Sequence, residues 1–191
     1  MKIKNLILLI SIFLFVSCGQ KEDKKKNNDT NSTTVKKIKT EEKQEEKLDN
    51  NITLTTLENK TIQLMVENGK ISIKNNEKAT LFVFFATWCP PCKVEIPHLN
   101  NLNDKFKKEL NIIGVLLENK QADEMKKFAD SYRIKYDITI GSGNFLLEKA
   151  IGGVIGLPFS ILYKPNGEHS ITYTGLVPEE MLETDILKAI K

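Results

Sequence analysis

Two cysteines three positions apart, Cys89 and Cys92, are the residues of this sequence best suited to chemistry, and they enclose two prolines in the stretch ATWCPPCK. Such a pair could bind a metal, form a structural disulfide or exchange electrons with other thiols. A structural zinc site takes about four ligands, but the rest of the chain offers only one further cysteine and two histidines. Covalent haem requires a histidine directly after the second cysteine, and this chain has a lysine there.

A structural disulfide between these cysteines would contribute little, because the stabilisation grows with the length of the loop that is closed. A C-x-x-C pair beside alternating strands and helices is typical of a redox motif. Electron exchange is therefore the chemistry that the pair favours.

The residues around the pair predict elements that place it at the start of a helix. Residues 81–85 form a continuous apolar run, as expected of a central strand covered on both faces. A helix is predicted from about Pro90, whose missing N–H suits the first turn. Cys89 would then lie at the helix N-terminus, where the dipole favours a thiolate. We expect Cys89 to be the exposed nucleophile and Cys92 to be more buried and to resolve the mixed disulfide.

Apolar periodicity elsewhere predicts an α/β fold whose mixed sheet has a parallel part and an antiparallel edge. Strands are predicted around 52–54, 62–64, 112–117, 159–163 and 171–173, with turns at 58–59, 68–69 and 165–167. The predicted helical stripes are Leu99, Leu102, Phe106 and Leu110; Met125, Phe128, Ala129 and Tyr132; residues 145–151; and Leu182, Ile186 and Ile190 after Pro178.

The first residues are typical of a secretion signal. Lys2 and Lys4 precede an apolar run at residues 6–16, which has the length of a signal-peptide core and is short for a membrane span. The run ends in LFVSC, which resembles the lipobox of bacterial lipoproteins. That resemblance implies removal of residues 1–17, lipidation of Cys18 and attachment to a membrane of the cell envelope, inner or outer.

Residues 18–50 are rich in Lys, Glu, Asn and Thr and carry few groups to bury, so they predict a disordered tether before a domain at residues 51–191. The net charge of the chain is only +3, and no basic stripe with interleaved aromatics is present. We therefore expect no nucleic-acid partner.

The stretch FFATWCPPCKVEIPHL resembles the thioredoxin superfamily and, within it, the membrane-anchored TlpA/ResA-like thiol–disulfide oxidoreductases. The resemblance covers residues 51–191 and implies a thioredoxin fold with an N-terminal β-hairpin extension. Further matches are Trp88 before the first cysteine, Pro97 as a helix-kinking proline, Gly175 before the last helix, and the loop Gly156-Leu157-Pro158, whose proline is cis and faces the disulfide in the family.

Two acid positions distinguish the branches of this superfamily. Thioredoxin has a buried Asp six residues before the first cysteine, where this chain has Val83. Glu95 matches an acid of the ResA-like branch and, at i+3, shares a helix face with Cys92. We expect Glu95 to exchange a proton with Cys92, although a helix-start acid could also be an ordinary surface residue. Lys93, His98 and His169 are expected on the surface.

The resemblance implies an extracytoplasmic, monomeric enzyme without a cofactor. Its catalytic residues would be Cys89, Cys92, Glu95 and Pro158, and its substrate-binding residues Trp88, Leu157 and Pro90. It would reduce protein disulfides, including those of apocytochrome c, and receive electrons from a membrane donor of the DsbD/CcdA kind. Rival hypotheses are a general reductant or oxidant of envelope proteins, a peroxide-reducing thiol enzyme, and a Cu(I)-binding or partner-docking module, since a C-x-x-C pair can also hold Cu(I).

Overall fold

The computed structural model describes residues 50–191. The predictions for the signal peptide, for Cys18 and for nearly all of the tether lie outside these residues. Within residues 50–191 no helix is both long and apolar enough to cross a bilayer.

Eight strands form one mixed sheet across the described residues. They are β1 (Asn51–Thr56), β2 (Thr61–Glu67), β3 (Lys70–Ile73), β4 (Ala79–Phe85), β5 (Leu110–Leu116), β6 (Asp137–Ile140), β7 (Phe159–Tyr163) and β8 (His169–Thr174). The strand order is β3-β2-β1-β6-β5-β4-β7-β8. Strands β4, β5 and β6 are parallel, and all other neighbours are antiparallel. The predicted mixed sheet of a thioredoxin fold is confirmed.

Four helices accompany the sheet in the described part of the chain: α1 (Pro90–Lys105), α2 (Ala122–Tyr132), α3 (Ser142–Ala150) and α4 (Glu179–Ala189). Pro97 lies inside α1, as the resemblance implied. Pro178 is the N-cap of α4, and Glu179 and Glu180 place acids in its first turn, where the helix dipole favours them.

The N-terminal hairpin extension is confirmed and has a third strand. Asn68 and Gly69 connect β2 to β3 with positive φ angles of 51° and 78°, as a two-residue hairpin turn requires. The N–H of Ile71 in β3 also donates to the carbonyl of Gly167 at 2.9 Å, in the turn between β7 and β8. Leu54, Leu64 and Ile71 of the extension share a cluster with Phe82 and Phe84 of β4, so the extension curls from its edge of the sheet over one face of β4.

One prediction of secondary structure was wrong, and the strand β6 was missed. Leu110 is the first residue of β5 and not part of α1, which ends at Lys105. The four-residue strand β6 was not predicted, because its few residues follow α2 closely and resemble a connecting loop. It nevertheless joins the parallel part of the sheet to β1.

Strand β4 is the central element and positions the redox motif. All seven of its residues are buried, as its continuous apolar run predicted. One face packs on a cluster that includes Leu99 and Leu102 of α1 and Leu182 and Ile186 of α4. The opposite face packs on Leu54 and Leu64 of the N-terminal extension and Leu147 of α3. Because β4 is fixed on both faces, the residues that follow Phe85 emerge from a rigid edge.

Candidate active site

A tight turn carries the chain from β4 into α1. The N–H of Cys89 donates to the carbonyl of Ala86 at 3.2 Å, with Thr87 and Trp88 at the corner of the turn. Cys89 is the N-cap of α1, and its Sγ accepts the N–H of Cys92 at 3.2 Å. The backbone at the start of the helix thus presents a donor to the sulfur of Cys89, as expected at a site that stabilises a thiolate.

Cys89 and Cys92 form a disulfide with a Cα–Cα distance of 5.4 Å. The expectation that Cys89 is exposed and Cys92 more buried was wrong for this state, since Cys89 is only 2% exposed and Cys92 4%. Both cysteines belong to an apolar cluster that is built largely from other parts of the chain. Its other buried members are Leu57, Phe85, Ala86, Leu116, Met125 and Ile138, and Phe128 and Leu157 are among the partly buried residues packed against it.

The surface beside the buried pair is partly apolar. Trp88 is 69% exposed although it directly precedes Cys89, so it belongs to the surface and not to the core. Pro90 is exposed on the other side of the cysteine, and Leu157 is half-buried and packs against the cluster that contains both cysteines. The residues predicted to contact substrate thus border the disulfide.

The loop before β7 has the backbone conformation that the resemblance implied. The Leu157–Pro158 peptide bond is cis. The carbonyl of Pro158 accepts the N–H of Gly175 at 2.7 Å, and Gly175 has a φ of 85°, which favours glycine. The two family motifs at Pro158 and Gly175 are therefore joined directly.

Glu95 is buried, with only 1% of its surface exposed. Its Oε1 accepts the N–H of Val177 at 3.3 Å. Within residues 50–191 its Oε2 has no hydrogen-bond partner. Burial raises the pKa of Glu95 to about 7, against a smaller lowering by the hydrogen bond from Val177. An ordinary surface acid at the start of α1 would be neither buried nor raised in pKa.

The position of the thioredoxin acid and a titratable group that senses the charge of Glu95 describe this acid further. Val83 is buried in β4, so an apolar side chain occupies the position at which thioredoxin has its acid. Burial raises the pKa of Tyr136, and the negative charge of Glu95 raises it further. Burial first, and the charge of Glu95 second, keep the phenol of Tyr136 neutral.

The three polar residues that were expected on the surface occupy different environments. His169 is exposed, as expected, and its Nε2 lies 2.8 Å from the hydroxyl of Thr172. Lys93 is half-buried, with its Nζ 5.9 Å from the centre of the Tyr132 ring. His98 and Lys93 were both expected on the surface and are both half-buried, and the Nδ1 of His98 has no hydrogen-bond partner within the described part of the chain.

One residue near the site was not identified from the sequence. Glu118, two residues after β5, accepts the N–H of Thr87 at 2.9 Å and its hydroxyl at 3.1 Å and 2.8 Å. The sequence could have indicated this contact only through the pairing of β4 with β5, because the two strands end side by side. That pairing is not evident from the sequence.

The described residues contain no larger set of metal ligands. Among residues 50–191 no three or more His, Cys, Asp and Glu side chains are grouped so that they could hold a metal ion. That finding concerns larger ligand sets, and a two-thiolate Cu(I) site stays a prediction.

Comparisons with known proteins agree with this arrangement. Residues 39–185 match the model of the AhpC/TSA family. Thiol-disulfide oxidoreductase ResA of Halalkalibacterium halodurans is 30% identical over 141 residues, which are 74% of each chain. The ResA of Bacillus thuringiensis strain Al Hakam is 34% identical over 139 residues, covering 70% of this chain and 71% of the relative.

A solved structure supports the fold. A crystal structure described as a thiol:disulfide interchange protein DsbE of Chlorobium tepidum aligns with a TM-score of 0.61 at 24% identity, over 74% of this chain and 94% of the other. A disulfide at a helix N-terminus, a thioredoxin fold and relatives of this identity agree with one another. The chain belongs to the AhpC/TSA family and, within it, to the thiol–disulfide oxidoreductases of the ResA kind.

Proposed function

We propose that this oxidoreductase reduces disulfides of other proteins on the extracytoplasmic side of a bacterial membrane. The single observation that carries the direction is the environment of the pair. One backbone N–H at the helix start favours a Cys89 thiolate. Against it, the apolar burial of both cysteines and a buried acid on the same helix disfavour a thiolate, and we take these two effects to be the larger. A strongly oxidising pair needs a stabilised reduced form, so these surroundings favour a reductant.

The reaction proceeds through two exchanges. The thiolate of reduced Cys89 attacks one sulfur of the substrate disulfide, which forms a mixed disulfide and releases the first substrate thiolate. Cys92 then attacks Cys89, which forms the Cys89–Cys92 disulfide and releases the second substrate thiolate. The substrate gains two electrons and its two sulfurs take up protons, while the enzyme pair is oxidised.

Glu95 is proposed as the group that exchanges a proton with Cys92. It lies three residues after Cys92 on α1, so the two side chains share one face of the helix. A pKa of about 7 allows the carboxyl group to accept and return a proton near neutral pH. It would take the proton of Cys92 as that thiol becomes a nucleophile and return it when the pair is reduced again.

Trp88, Pro90, Leu157 and Pro158 are proposed to receive the substrate. The exposed ring of Trp88 offers apolar contact area. The segment at Leu157 and Pro158 offers an edge along which an extended substrate backbone can pair.

The cellular setting of the proposal comes from the sequence. Lipidation of Cys18 would hold the enzyme at the envelope membrane, and the tether of about 30 residues would give a reach of about 30 Å. We propose that a membrane donor of the DsbD/CcdA kind reduces the pair again, and that apocytochrome c cysteines are among the substrates.

The direct experiment uses the reduced protein and a disulfide-bonded protein substrate. We expect two substrate thiols to appear for each Cys89–Cys92 disulfide formed. A Cys92→Ser variant should accumulate the mixed disulfide, whereas Cys89→Ser should not. A pair that instead oxidises a reduced protein substrate, and does not reduce the oxidised one, contradicts the proposal.

A further inference from the structure

The register of two parallel strands brings Glu118 to the turn that precedes Cys89. Phe85, the last residue of β4, lies opposite Leu116, the last residue of β5. The N–H of Leu117 donates to the carbonyl of Phe85 at 3.0 Å, which extends the pairing by one residue. The segments that follow β4 and β5 therefore leave the sheet side by side. Thr87 lies two residues after Phe85 and Glu118 two residues after Leu116, so the two occupy equivalent positions.

The contact between these residues is specific. The carboxylate of Glu118 accepts three contacts from Thr87, namely the N–H at 2.9 Å and the hydroxyl at 3.1 Å and 2.8 Å. Both residues are half-buried. Within the turn itself, the backbone hydrogen bond that the structure describes is the one from the N–H of Cys89 to the carbonyl of Ala86. Hydrogen bonds to an ionised acceptor are stronger than those between neutral groups, so the contact with Glu118 can hold the turn in place.

We propose that Glu118 is a positioning residue of the redox site, which holds Thr87 so that the turn presents Trp88 and Cys89 to a substrate and whose charge disfavours the Cys89 thiolate. The proposal rests on the proposed function. Thr87 and Trp88 form the corner of the turn, so a fixed Thr87 determines where the exposed Trp88 ring points.

The charge of Glu118 lies close to Cys89 along the chain. Its carboxylate contacts the N–H of Thr87 at 2.9 Å, two residues before Cys89, and a negative charge near a thiol disfavours the thiolate. The charged residues of α1 nearest to Cys89 in sequence are Lys93 and Glu95, while α2 contributes Met125 and Phe128 to the apolar cluster at the cysteines and carries its own charges at Asp123, Glu124, Lys126, Lys127 and Asp130.

The experiment follows the turn by fluorescence, because Trp88 is the only tryptophan of the chain. Emission anisotropy of the oxidised protein reports the motion of its ring without any substrate. We expect lower anisotropy for Glu118→Ala and for Thr87→Val, which removes only the hydroxyl contacts. Thr87→Ser keeps the N–H and a hydroxyl, and should restore the anisotropy of the wild type.

Two further readouts separate a positioning role from a merely structural one. The KM for a disulfide-bonded protein should rise roughly fivefold in Glu118→Ala, because hydrogen bonds to a charged group are lost. The alkylation rate of Cys89 in the reduced protein follows its thiolate fraction, which is half-maximal at the thiol pKa. Removing the charge in Glu118→Gln should lower that pKa by about half a unit, so alkylation at a pH below the pKa should be about threefold faster.

Glu124→Gln is the matched control, because Glu124 is an exposed acid in the first turn of α2. It should match the wild type in all three readouts. The proposal is overturned if Glu118→Ala has the anisotropy and KM of the wild type. It is also overturned if the alkylation curves of Glu118→Gln and the wild type superimpose. A wild type that reduces no protein disulfide overturns the proposed function instead, and the substrate-free anisotropy still decides the role of Glu118.

Discussion

The carboxylate of Glu95 accepts the backbone N–H of Val177 at 3.3 Å. This contact joins the helix that carries the redox pair to the segment that leads into α4, since Val177 directly precedes the N-cap Pro178. One hydrogen bond at this distance does not offset the burial of a charge, so the pKa of Glu95 remains raised. An acid in this state can serve the chemistry of Cys92, and its role can be tested in two independent ways.

The first test follows the thiols. Glu95→Gln keeps the size and helix propensity of the side chain but removes its charge and its proton. We expect the thiol pKa measured by alkylation rate to fall by about one unit, because a like charge near the thiolate is removed. Turnover should be slower near neutral pH, because the proton acceptor of Cys92 is lost.

Asp104→Asn is the control for this variant, because Asp104 is an exposed acid on α1 that pairs with Lys135 at 2.5 Å. It should leave the alkylation curve unchanged. Superimposable curves for wild type and Glu95→Gln mean that Glu95 is a buried structural acid and that water carries the proton.

The second test follows stability. The pKa of Glu95 is raised from 4.5 to about 7 on folding, so the folded protein holds this proton more tightly than the unfolded chain. The stabilisation is complete below pH 4.5 and is lost as the pH rises through about 7. The loss amounts to about 3 kcal/mol of the free energy of unfolding.

Glu95→Gln lacks this titration, so it should gain stability relative to the wild type between about pH 5 and about pH 8. Denaturant unfolding at the two pH values measures the difference. If both proteins show the same change between those pH values, the carboxyl group does not carry a raised pKa.

Pro158 is tested through the lifetime of the mixed disulfide. Pro158→Thr supplies a backbone N–H that proline lacks, and this donor can bond an extended substrate backbone along the same edge. We expect the mixed disulfide with a protein substrate to accumulate and to resolve more slowly, by about tenfold if one further hydrogen bond forms. Release at the wild-type rate, measured by quenched-flow alkylation, removes Pro158 from the substrate site.

Membrane attachment is tested at Cys18. Cys18→Ala should abolish retention in the membrane fraction and leave disulfide reduction by the purified protein unchanged, because the redox site lies about 70 residues further along the chain. Cys18→Ala protein that still fractionates with membranes would exclude lipidation of Cys18 as the anchor.

Local motifs were enough to predict the position of the redox pair. Cys89 follows a buried strand and precedes a proline-led helix, and both of these elements are set by residues close to it in sequence. The cis peptide bond before Pro158 also followed from a short motif. That motif indicated the cis bond through its resemblance to the family loop and not through its composition.

Features that depend on distant contacts were not predicted. Cys89 is buried because Leu57 from the N-terminal extension and Met125 from α2 pack around it, and no local pattern indicates either contact. The short strand β6 is stabilised by its neighbours on both sides, and the position of Glu118 depends on the pairing of β4 with β5. Each of these follows from the order of strands in the sheet, which the sequence does not state.

The reduction potential of the Cys89–Cys92 pair tests the central claim most directly. It can be measured by equilibrating the protein in thiol–disulfide buffers of known ratio and trapping the free thiols with a reagent that changes the mass. For a reductant we predict a value near that of thioredoxin, about −270 mV. A value near about −120 mV, typical of a strong oxidant, would contradict the account and reverse the direction of electron flow.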